Sequence, residues 1–514
     1  MNRIALGLAL SLLSAVLLIV SWQAFGDLWW LIFIAFVPMY VAQYRIFSRR
    51  WSAVAVAIAT AGYYLALLLQ GSSVMPPATI AAGTLALGAI GWVIGLFMRP
   101  FAERTGYRWF LVQYPLIWVA LDLLVEDNEI LGGGSWIAYR LGSAPQLIQP
   151  VSILSTPALS LLLLMINAAI ALLVLKGMDR KWPQLAGAPI PGRVVLWSSI
   201  VTVAATVAWL ATSLSIYNQT TRAMGPATRV AAVQPGLDNA PSGTLTFKRD
   251  LFPGRTEEER IESQIADLSR MTREGASRGA KVVVWPEEAL DYDPRVTHTE
   301  WIPNLVRETG VYLAHGFTAD ANDLSSPNVA LLWNPEGTVV AVYRKVKRVL
   351  VEGESFEPGT VYPTTDTPAG RLGIIICFDI EFPNGPARRQ ALAGSQIILA
   401  PSIDFQSIAH LRSASTVFRA VENRVGMVKT DLAWDSVIVA PNGKVLAKTL
   451  VATENGASAL LVEDVPLGPA NAPFTLYGGT PFAWLIYAAF IAMAGAMFRA
   501  WRCHRAGAAG ADRM

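Results

Sequence analysis

Cys377 ends an apolar, strand-like run, RLGIIIC, and is one of only two cysteines in the chain. A lone cysteine at a strand end is most simply a small buried hydrophobe. A thiol can instead act as a nucleophile if a base takes its proton and a positive group or N–H donors hold the oxyanion that forms on the attacked carbonyl. The catalytic interpretation of Cys377 therefore requires such partners elsewhere in the sequence.

Two other strand ends supply a candidate base and a candidate cation. Histidine is the usual base, but none of the histidines of this region lies at a strand end beside Pro or Gly: His298, His315 and His410. Glu287 follows the strand-like VVVWP, and Lys345 follows GTVVAVYR. A carboxylate can act as the base if a dry site raises its pKa. A lysine beside the thiol would lower the pKa of the thiol and then hold the oxyanion.

Much of the 514-residue chain is too apolar for an ordinary soluble protein, since 53% of its residues are hydrophobic and 15% are charged. Apolar runs of spanning length predict eight transmembrane helices. These runs lie near 4–21, 27–43, 52–70, 79–98, 109–125, 151–175, 194–216 and 477–498. The first run could be a signal peptide, but no small-residue cleavage site follows it and another apolar run does. It is therefore taken as an uncleaved helix.

Lysine and arginine collect in the loops after the second, fourth, sixth and eighth of these helices, and the other short loops are neutral or acidic. The basic side is expected to be cytoplasmic, which places the long segment between helices seven and eight outside. We therefore expect a membrane domain at 1–218 with helices one to seven, an extracytoplasmic catalytic domain at 227–470, an eighth helix at 476–499 and a basic cytoplasmic tail at 500–514.

The segment 227–470 has frequent charges, Pro and Gly punctuation and no run of spanning length. Strand-like stretches alternate in it with helical patterns, which favours an α/β layered fold. The strand-like stretches are 229–234, 280–286, 311–317, 329–334, 371–377 and 395–401, and the helical patterns are 257–279 and 410–424. Neither a metal-ligand cluster nor a phosphate-binding loop is visible, and a net charge of +3 gives no reason to expect nucleic acid as a partner.

Four motifs, in the correct order, resemble the nitrilase superfamily. VAAVQP resembles that family's first strand, SPNVALLWNPEGTVVAVYRK its strand pair, IICFDIEFP its cysteine strand and FRAVENR its R-A-x-E-N helix. The resemblance implies a nitrilase-like, four-layer α-β-β-α sandwich. It also implies a Glu-Lys-Cys triad, formed here by Glu287, Lys345 and Cys377.

The order of seven helices, a nitrilase-like domain and one further helix resembles the apolipoprotein N-acyltransferase family. The stretch GGSWIAYRLGSAPQLIQ and the helix after it resemble that family's membrane half, with Trp136 and Asn167 in matching places. Direct contact with lipid is one role for these two residues. An interfacial anchor for Trp136 and a helix–helix hydrogen bond for Asn167 are the alternatives.

This resemblance implies a two-step acyl transfer at the outer face of the bacterial inner membrane, with the catalytic domain on the periplasmic side. Cys377, activated by Glu287, would attack the sn-1 ester of a phospholipid to form a thioester. The N-terminal amine of a diacylglyceryl-cysteine lipoprotein would then accept the acyl chain. Lys345 and the backbone N–H of Phe378 would hold the oxyanion in both steps, and no cofactor or metal is implied.

The loop after Lys345, KVKRVLVEGE, departs from the family pattern. Glu354 is preferred to Glu352 as the second acid, although it stands nine residues after Lys345 where the family has eight. Lys347 competes with Lys345 for the oxyanion role, and the spacing from the preceding tyrosine favours Lys345.

The substrate loops differ from the family as well. FDIEF replaces the family's Y-E after the cysteine, and PSIDFQS replaces N-D-A-W-F, of which Asp404 survives. Asp404 is therefore a candidate substrate contact. Trp136, from the membrane half, is the other candidate. Asp379, within FDIEF, is a candidate supporting residue. Two other functions stay open: a membrane-tethered amidase or acyltransferase acting on another amine or amide, and a non-catalytic descendant that binds lipids or lipoproteins. The intact triad argues against the second.

Overall fold

The described residues up to Ala223 are mostly helical, and a half built of two β-sheets and further helices follows. The computed structural model describes residues 2–22, 27–72, 75–130, 133–185, 187–236, 256–318, 323–449 and 457–511. Residues 512–514 of the expected tail and the side chain of Cys503 lie outside this part. Within it, the helices before the first strand are α1 (Arg3–Val20), α2 (Val37–Val41), α3 (Ala53–Leu69), α4 (Pro77–Arg104), α5 (Phe110–Val125), α6 (Pro145–Ile148), α7 (Val151–Leu154), α8 (Thr156–Lys181) and α9 (Gly192–Ala223).

Several of these helices are suited to a membrane. Among the described residues, six helical segments are long and apolar enough to cross one: Arg3–Val20, Trp29–Ile46, Pro77–Arg104, Thr156–Lys181, Gly192–Ala223 and Thr480–Arg502. The two remaining apolar runs form α3 and α5, which are shorter. The expected number of eight crossings therefore stays a prediction.

Two of the expected spans are interrupted. The run 27–43 forms a 3₁₀ turn (Trp29–Phe33), α2 and a π turn (Ala42–Ile46). The side-chain amide of Asn167, on α8, donates to Ile32 O (2.8 Å), and its oxygen accepts from Phe36 N (2.9 Å). Asn167 therefore makes the helix–helix hydrogen bonds that were one of its two expected roles, and it pairs backbone groups that the irregular segment leaves free.

The other interruption lies in the run 151–175, where one helix was expected. That expectation is wrong, because Ser155 has a left-handed φ of 70° and separates α7 from α8. A proline occupies the first turn of α8, where its missing N–H costs nothing. The Glu422 carboxylate accepts hydrogen bonds from Thr156 N (3.2 Å) and Oγ1 (2.7 Å), so a residue of the sheet-containing half caps α8.

The second half contains twelve strands within the described residues. They are β1 (Ala227–Gln234), β2 (Val282–Val284), β3 (Tyr312–Thr318), β4 (Asn328–Trp333), β5 (Val339–Arg344), β6 (Thr364–Thr367), β7 (Gly370–Ile374), β8 (Ile397–Ser402), β9 (Gly426–Asp431), β10 (Val437–Val439), β11 (Val445–Lys448) and β12 (Ala459–Pro466). One sheet has the order β12-β1-β2-β3-β4-β5 and the other β11-β10-β9-β8-β7-β6. Strands β1 to β3 are parallel to one another, as are β7 to β9.

The sheets lie face to face between layers of helices. The helices of this half are α10 (Glu257–Ser277), α11 (Trp301–Thr309), α12 (Pro386–Leu392), α13 (Ala409–Asn423), α14 (Pro473–Tyr477) and α15 (Thr480–Ala511). On β1, Ala231 and Val233 pack with α10 and α11, whereas Val230 and Ala232 face the second sheet. Since side chains alternate along a strand, this pattern buries β1 on both faces. Helices α12 and α13 cover the second sheet, which gives the layered α/β arrangement expected from the sequence.

Helix α13 also packs against the N-terminal helices. Phe418 on α13 meets Tyr139 edge to face at 5.0 Å, and Arg419 donates to the Tyr139 hydroxyl at 3.2 Å. One continuous core of buried side chains runs through the N-terminal helices and both sheets. The two halves are therefore packed together along α13.

Candidate active site

The ends of three strands bring Glu287, Lys345 and Cys377 together. Glu287 follows β2, Lys345 follows β5 and Cys377 follows β7. The neighbouring strand β3 carries Gly316, where a Cβ atom would lie 2.7 Å from the Glu287 Cα. A larger residue at Gly316 would push Glu287 out of place, so this glycine permits the close approach of the two backbones.

The Glu287 carboxylate is almost completely buried and is held at both oxygens. Its Oε1 atom accepts from Asn328 Nδ2 at 2.7 Å and lies 3.0 Å from Lys345 Nζ. Its Oε2 atom accepts from the backbone N–H of Ile403 at 3.0 Å. A buried carboxylate with three donors is fixed in direction, which a general base needs. Asn328 was not assigned a role from the sequence, although it lies in the stretch SPNVALLWNPEGTVVAVYRK that resembles the strand pair of the nitrilase superfamily.

Lys345 bridges two carboxylates. Its Nζ lies 3.0 Å from Glu287 Oε1 and 2.7 Å from Glu354 Oε1, and the Glu354 Oε2 accepts from Val349 N at 2.6 Å. Burial would lower the pKa of Lys345, but the two carboxylates raise it well above its usual value. Lys345 is therefore a fixed ammonium, and Glu354 is the acid in contact with it.

Lys347 points elsewhere. Its Nζ lies 4.2 Å from the centre of the Phe382 ring and 3.7 Å from Asp127 Oδ1, in the loop after α5. The structure thus separates the two lysines that competed in the sequence, because Lys345 contacts Glu287 and Lys347 contacts the N-terminal half.

Cys377 begins a 3₁₀ turn (Cys377–Glu381) and does not end a strand as expected, since β7 stops at Ile374. Its φ is 45°, in the left-handed region that non-glycine residues rarely adopt. Such backbone strain concentrates at functional sites. Cys377 is 4% exposed, and its thiol donates to Ile403 O at 3.5 Å and Asp404 Oδ1 at 3.8 Å.

The pKa of the Cys377 thiol is raised, although a neighbouring lysine was expected to lower it. Burial raises this pKa most, and the Glu287 and Asp404 carboxylates raise it further. Lys345 and Arg412 act in the opposite direction and are outweighed. The thiol is therefore protonated at rest, and a base must take its proton as it attacks.

Asp379 holds the turn that carries Cys377. Its carboxylate accepts from the Tyr343 hydroxyl at 2.6 Å, from Ile376 N at 3.0 Å and from Lys347 N at 2.8 Å. Burial raises the pKa of Asp379 to about 6, against the hydrogen bonds, which lower it. Asp379 therefore ties the cysteine turn to the strand and loop that carry Lys345.

Phe378 and Asp404 also lie at the site, and a substrate contact for Trp136 stays a prediction. The Phe378 ring packs edge to face on Phe382 at 5.0 Å, and the Arg412 guanidinium lies 4.9 Å from it. Trp136 is fully buried in the core of the helical half, so it is shielded from the lipid interface where an anchor would lie.

A network of buried charges lies behind the thiol. Arg412 Nε donates to Asp404 Oδ1 at 3.0 Å, and Arg412 Nη1 lies 2.9 Å from Glu381 Oε1. Lys429 Nζ lies 2.8 Å from Asp404 Oδ2. Arg412 and Lys429 were not found from the sequence. Their polar positions in a helix and a strand that otherwise face the core were the available signal.

The site adjoins the helical half. Asn384 Nδ2 donates to Glu126 Oε1 at 2.8 Å, and Arg348 Nη2 lies 3.0 Å from Glu129 Oε2. Both acids belong to the loop that follows α5. This loop contacts the segments after Lys345 and after Cys377, so the candidate active site lies at the junction of the two halves.

The assembled groups suit acyl transfer through a thiol. A carboxylate, an ammonium and a protonated nucleophile share one buried cluster, and the backbone turns sharply at the nucleophile. Among the described residues no group of His, Cys, Asp or Glu could hold a metal ion.

Glu352 gives a prediction on pH. Burial and the nearby Glu354 carboxylate raise the pKa of Glu352 from 4.5 to about 8. The folded protein then keeps a proton that the unfolded chain loses near pH 4.5, so this group makes stability fall as the pH rises from about 4.5 to 8. We expect Glu352→Gln to melt at a higher temperature than wild type, by a margin that grows up to about pH 8.

Thermal melts from pH 5 to 9 check this expectation. Glu357→Gln, at an exposed position in the same loop, is the matched control and should follow the wild-type curve. A constant difference between Glu352→Gln and wild type across this range would contradict the assignment.

Asp379 gives a second prediction. We expect Asp379→Asn to lower the free energy of unfolding by about 2 kcal/mol, because an amide turns one N–H donor toward a backbone donor. Acylation of Cys377 should fall at least about tenfold, since the turn loses its fixed geometry. Tyr343→Phe removes one of the three hydrogen bonds to Asp379 and should show a smaller loss of stability and of acylation rate. Equal values for Asp379→Asn and wild type in denaturant titrations and acylation assays would refute this role.

Comparison with known proteins gives matches to both halves. Residues 229–468 match the carbon-nitrogen hydrolase family, and residues 14–169 match the apolipoprotein N-acyltransferase N-terminal domain. An apolipoprotein N-acyltransferase of Geobacter metallireducens is 26% identical over 538 residues, which covers 96% of each protein. The omega-amidase NIT2 of Homo sapiens is 29% identical over 208 residues, 34% of this chain and 75% of that protein.

Solved structures also match. The crystal structure of an amidase from Nesterenkonia sp. is 22% identical and covers 47% of this chain and 91% of that chain, with a TM-score of 0.36. Among these three proteins, the apolipoprotein N-acyltransferase of Geobacter metallireducens is the one whose similarity extends over nearly the whole chain.

Proposed function

We propose that this homologue of apolipoprotein N-acyltransferase moves an acyl chain from a phospholipid to the N-terminal amine of a diacylglyceryl-cysteine lipoprotein. The homology extends over nearly the full length of the chain. It includes that enzyme's N-terminal domain and a carbon-nitrogen hydrolase domain. The intermediate is a thioester on Cys377. The observation that carries this proposal is the buried cluster of Glu287, Lys345 and Cys377 at the junction with a helical half of the matching family.

In the first step Glu287 takes the thiol proton while the sulfur attacks the sn-1 ester carbonyl. The ester carbonyl oxygen becomes an oxyanion, which Lys345 and the backbone N–H of Phe378 stabilise. The tetrahedral intermediate collapses with loss of the glycerol oxygen, which takes the proton from Glu287. A lysophospholipid leaves, and Cys377 holds the acyl chain as a thioester.

In the second step the amine nitrogen attacks the thioester carbonyl. Glu287 takes a proton from the nitrogen and returns it to the sulfur as the carbon–sulfur bond breaks. An amide forms and the thiol is restored. Glu287 has therefore neither gained nor lost a proton at the end of each step. Glu354, held on Lys345 at 2.7 Å, keeps the ammonium in place during both steps.

The membrane half serves the substrates. Both of them carry long acyl chains, and the site lies where the loop after α5 meets the catalytic loops. We place the chain in the bacterial inner membrane, with residues 227–470 on the periplasmic side and the basic residues near the C-terminus in the cytoplasm. Six apolar segments of spanning length within the described part of the chain support a membrane location.

The similarity to omega-amidase supports a second candidate, a membrane-tethered amidase acting on another amide or amine. That similarity covers about a third of the chain, and the helical half matches the acyltransferase domain. The acyltransferase is therefore the better-supported function. The triad also disfavours a non-catalytic lipid- or lipoprotein-binding descendant.

The test uses the full chain in phospholipid vesicles with a peptide that bears an N-terminal diacylglyceryl-cysteine. We expect the peptide to gain one acyl chain and one lysophospholipid to form for each acylated peptide. The same peptide with an acetylated N-terminus should gain none. Release of free fatty acid without acylated peptide would show that water accepts the acyl group and would contradict acyl transfer to the lipoprotein.

A further inference from the structure

The thiol of Cys377 donates to two acceptors, and neither of them is the proposed base. They are Ile403 O at 3.5 Å and Asp404 Oδ1 at 3.8 Å, both just beyond the end of β8. Glu287 is oriented by other groups, since its oxygens accept from Asn328, Lys345 and the Ile403 N–H. The sulfur therefore has one carboxylate for catalysis and a second one whose purpose the proposed mechanism does not explain.

Asp404 is built to remain a carboxylate. Asp404 is 3% exposed. Its Oδ1 lies 3.0 Å from Arg412 Nε, and its Oδ2 lies 2.8 Å from Lys429 Nζ. Its backbone N–H donates to Asp431 Oδ2 at 3.0 Å. Burial alone would raise the pKa of Asp404, but the two cations hold it below its usual range. A buried charge with two cations and a fixed backbone is held in one orientation.

Acylation changes the hydrogen bonds that Ile403 O and Asp404 Oδ1 accept. The thioester sulfur carries no proton, so Ile403 O loses the thiol donor when the acyl chain arrives, while Asp404 Oδ1 keeps its hydrogen bond from Arg412 Nε. Buried acceptors without a donor are costly. An amine that approaches the thioester brings N–H groups, and its nitrogen becomes positive as it attacks, which a carboxylate stabilises better than a neutral group does.

We propose that Asp404 and the Ile403 carbonyl oxygen bind the acceptor amine and hold it for attack on the Cys377 thioester. This inference rests on the proposed function and identifies its acceptor site. The neutral amine donates one N–H to these two oxygens and the other to Glu287. A nitrogen–carbon bond forms and the carbon–sulfur bond breaks, while Glu287 moves one proton from nitrogen to sulfur. The proton that faces Asp404 stays on the amide product.

The test separates loading from discharge. Full-length protein in detergent is loaded with 4-nitrophenyl butyrate, which supplies an acyl group without a phospholipid, and freed of excess ester. The diacylglyceryl-cysteine peptide is then added, and loss of the butyryl mass from the protein is followed. We expect Asp404→Asn to load within about threefold of wild type and to discharge to the amine at least about tenfold more slowly.

Asp435→Asn is the matched control, because Asp435 is also a buried acid beside Lys429 but does not contact the thiol. It should load and discharge at wild-type rates. Discharge of Asp404→Asn at the wild-type rate overturns the inference, as does an equal slowing of loading and discharge, which would show a structural role only.

A second measurement needs no variant. The proposal requires two N–H groups on the amine, so the same peptide with an N-methylated terminal amine should discharge the wild-type thioester at least about tenfold more slowly than the primary amine. Equal rates would overturn the inference. Wild-type protein that discharges to the peptide but is never loaded by phospholipid would refute the proposed donor alone and leave the Asp404 assignment in place.

Discussion

Glu287→Gln is expected to lower the rate of Cys377 acylation by at least about 10³-fold, because it removes the base from a thiol whose pKa burial has raised. The substitution keeps the size of the side chain. Its amide can still accept from Asn328 or Lys345, but its NH₂ group would then face the Ile403 N–H, which now donates to Glu287. The loss therefore combines a missing proton acceptor with one unpaired buried donor. Intact mass spectrometry after mixing with phospholipid vesicles measures the rate of adduct formation.

Glu288→Gln is the control for this result. Glu288 is the next residue in the chain and is partly exposed, and its Oε1 accepts from Thr318 Oγ1 at 3.5 Å. It should keep acylation within about threefold of wild type, the range expected of a substitution away from the reacting atoms. Acylation of Glu287→Gln at a rate close to that of wild type would remove Glu287 from the role of base.

Lys345→Met is expected to lower acylation at least about 100-fold, because the oxyanion loses its ammonium. It should also destabilise the fold by about 3 kcal/mol, since Glu287 and Glu354 are left buried without the cation between them. Acylation rates and denaturant titrations measure the two effects separately. If Lys345→Met were as active as wild type, the oxyanion would have to be held by other groups.

Lys347→Met is the matched control. Lys347 contacts Asp127, whose side chain is 72% exposed, and exposed ion pairs contribute little to stability. This variant should retain acylation within about threefold of wild type and lose less than about 1 kcal/mol of stability. A larger loss of activity from Lys347 than from Lys345 would reverse the assignment of the two lysines.

The positions of Glu287, Lys345 and Cys377 could be predicted because each follows a strand-like run. Glu287 and Lys345 follow β2 and β5 of one sheet and Cys377 follows β7 of the other, so the three residues meet because the two sheets pack face to face. The expected strands agree with the observed ones to within a few residues, except at Cys377. There the apolar run continues beyond the last ladder hydrogen bonds of β7, and hydropathy does not mark where a strand gives way to a 3₁₀ turn.

The surroundings of the three residues depend on contacts between distant segments. Arg412 on α13 and Lys429 on β9 meet Asp404 beyond β8, and no local pattern in the sequence shows that these side chains converge. The direction of the thiol pKa shift was missed for the same reason. Burial and a second carboxylate outweigh the lysine, and both follow from packing.

The helical half shows a similar limit. Hydropathy located the apolar runs, but it does not detect a break such as the left-handed Ser155 before α8. That break is held from the other half of the chain, where Glu422 caps Thr156. An isolated stretch of sequence contains no signal of such a partner.

The central claim is a thioester on Cys377, and the most direct measurement is the intact mass of the full-length protein after incubation with phospholipid vesicles. We predict one added acyl chain, mapped by peptide digestion to Cys377, absent from Cys377→Ala and lost when the diacylglyceryl-cysteine peptide is added. An acylated peptide formed by Cys377→Ala at the wild-type rate, or an adduct mapped to another residue, would contradict the account.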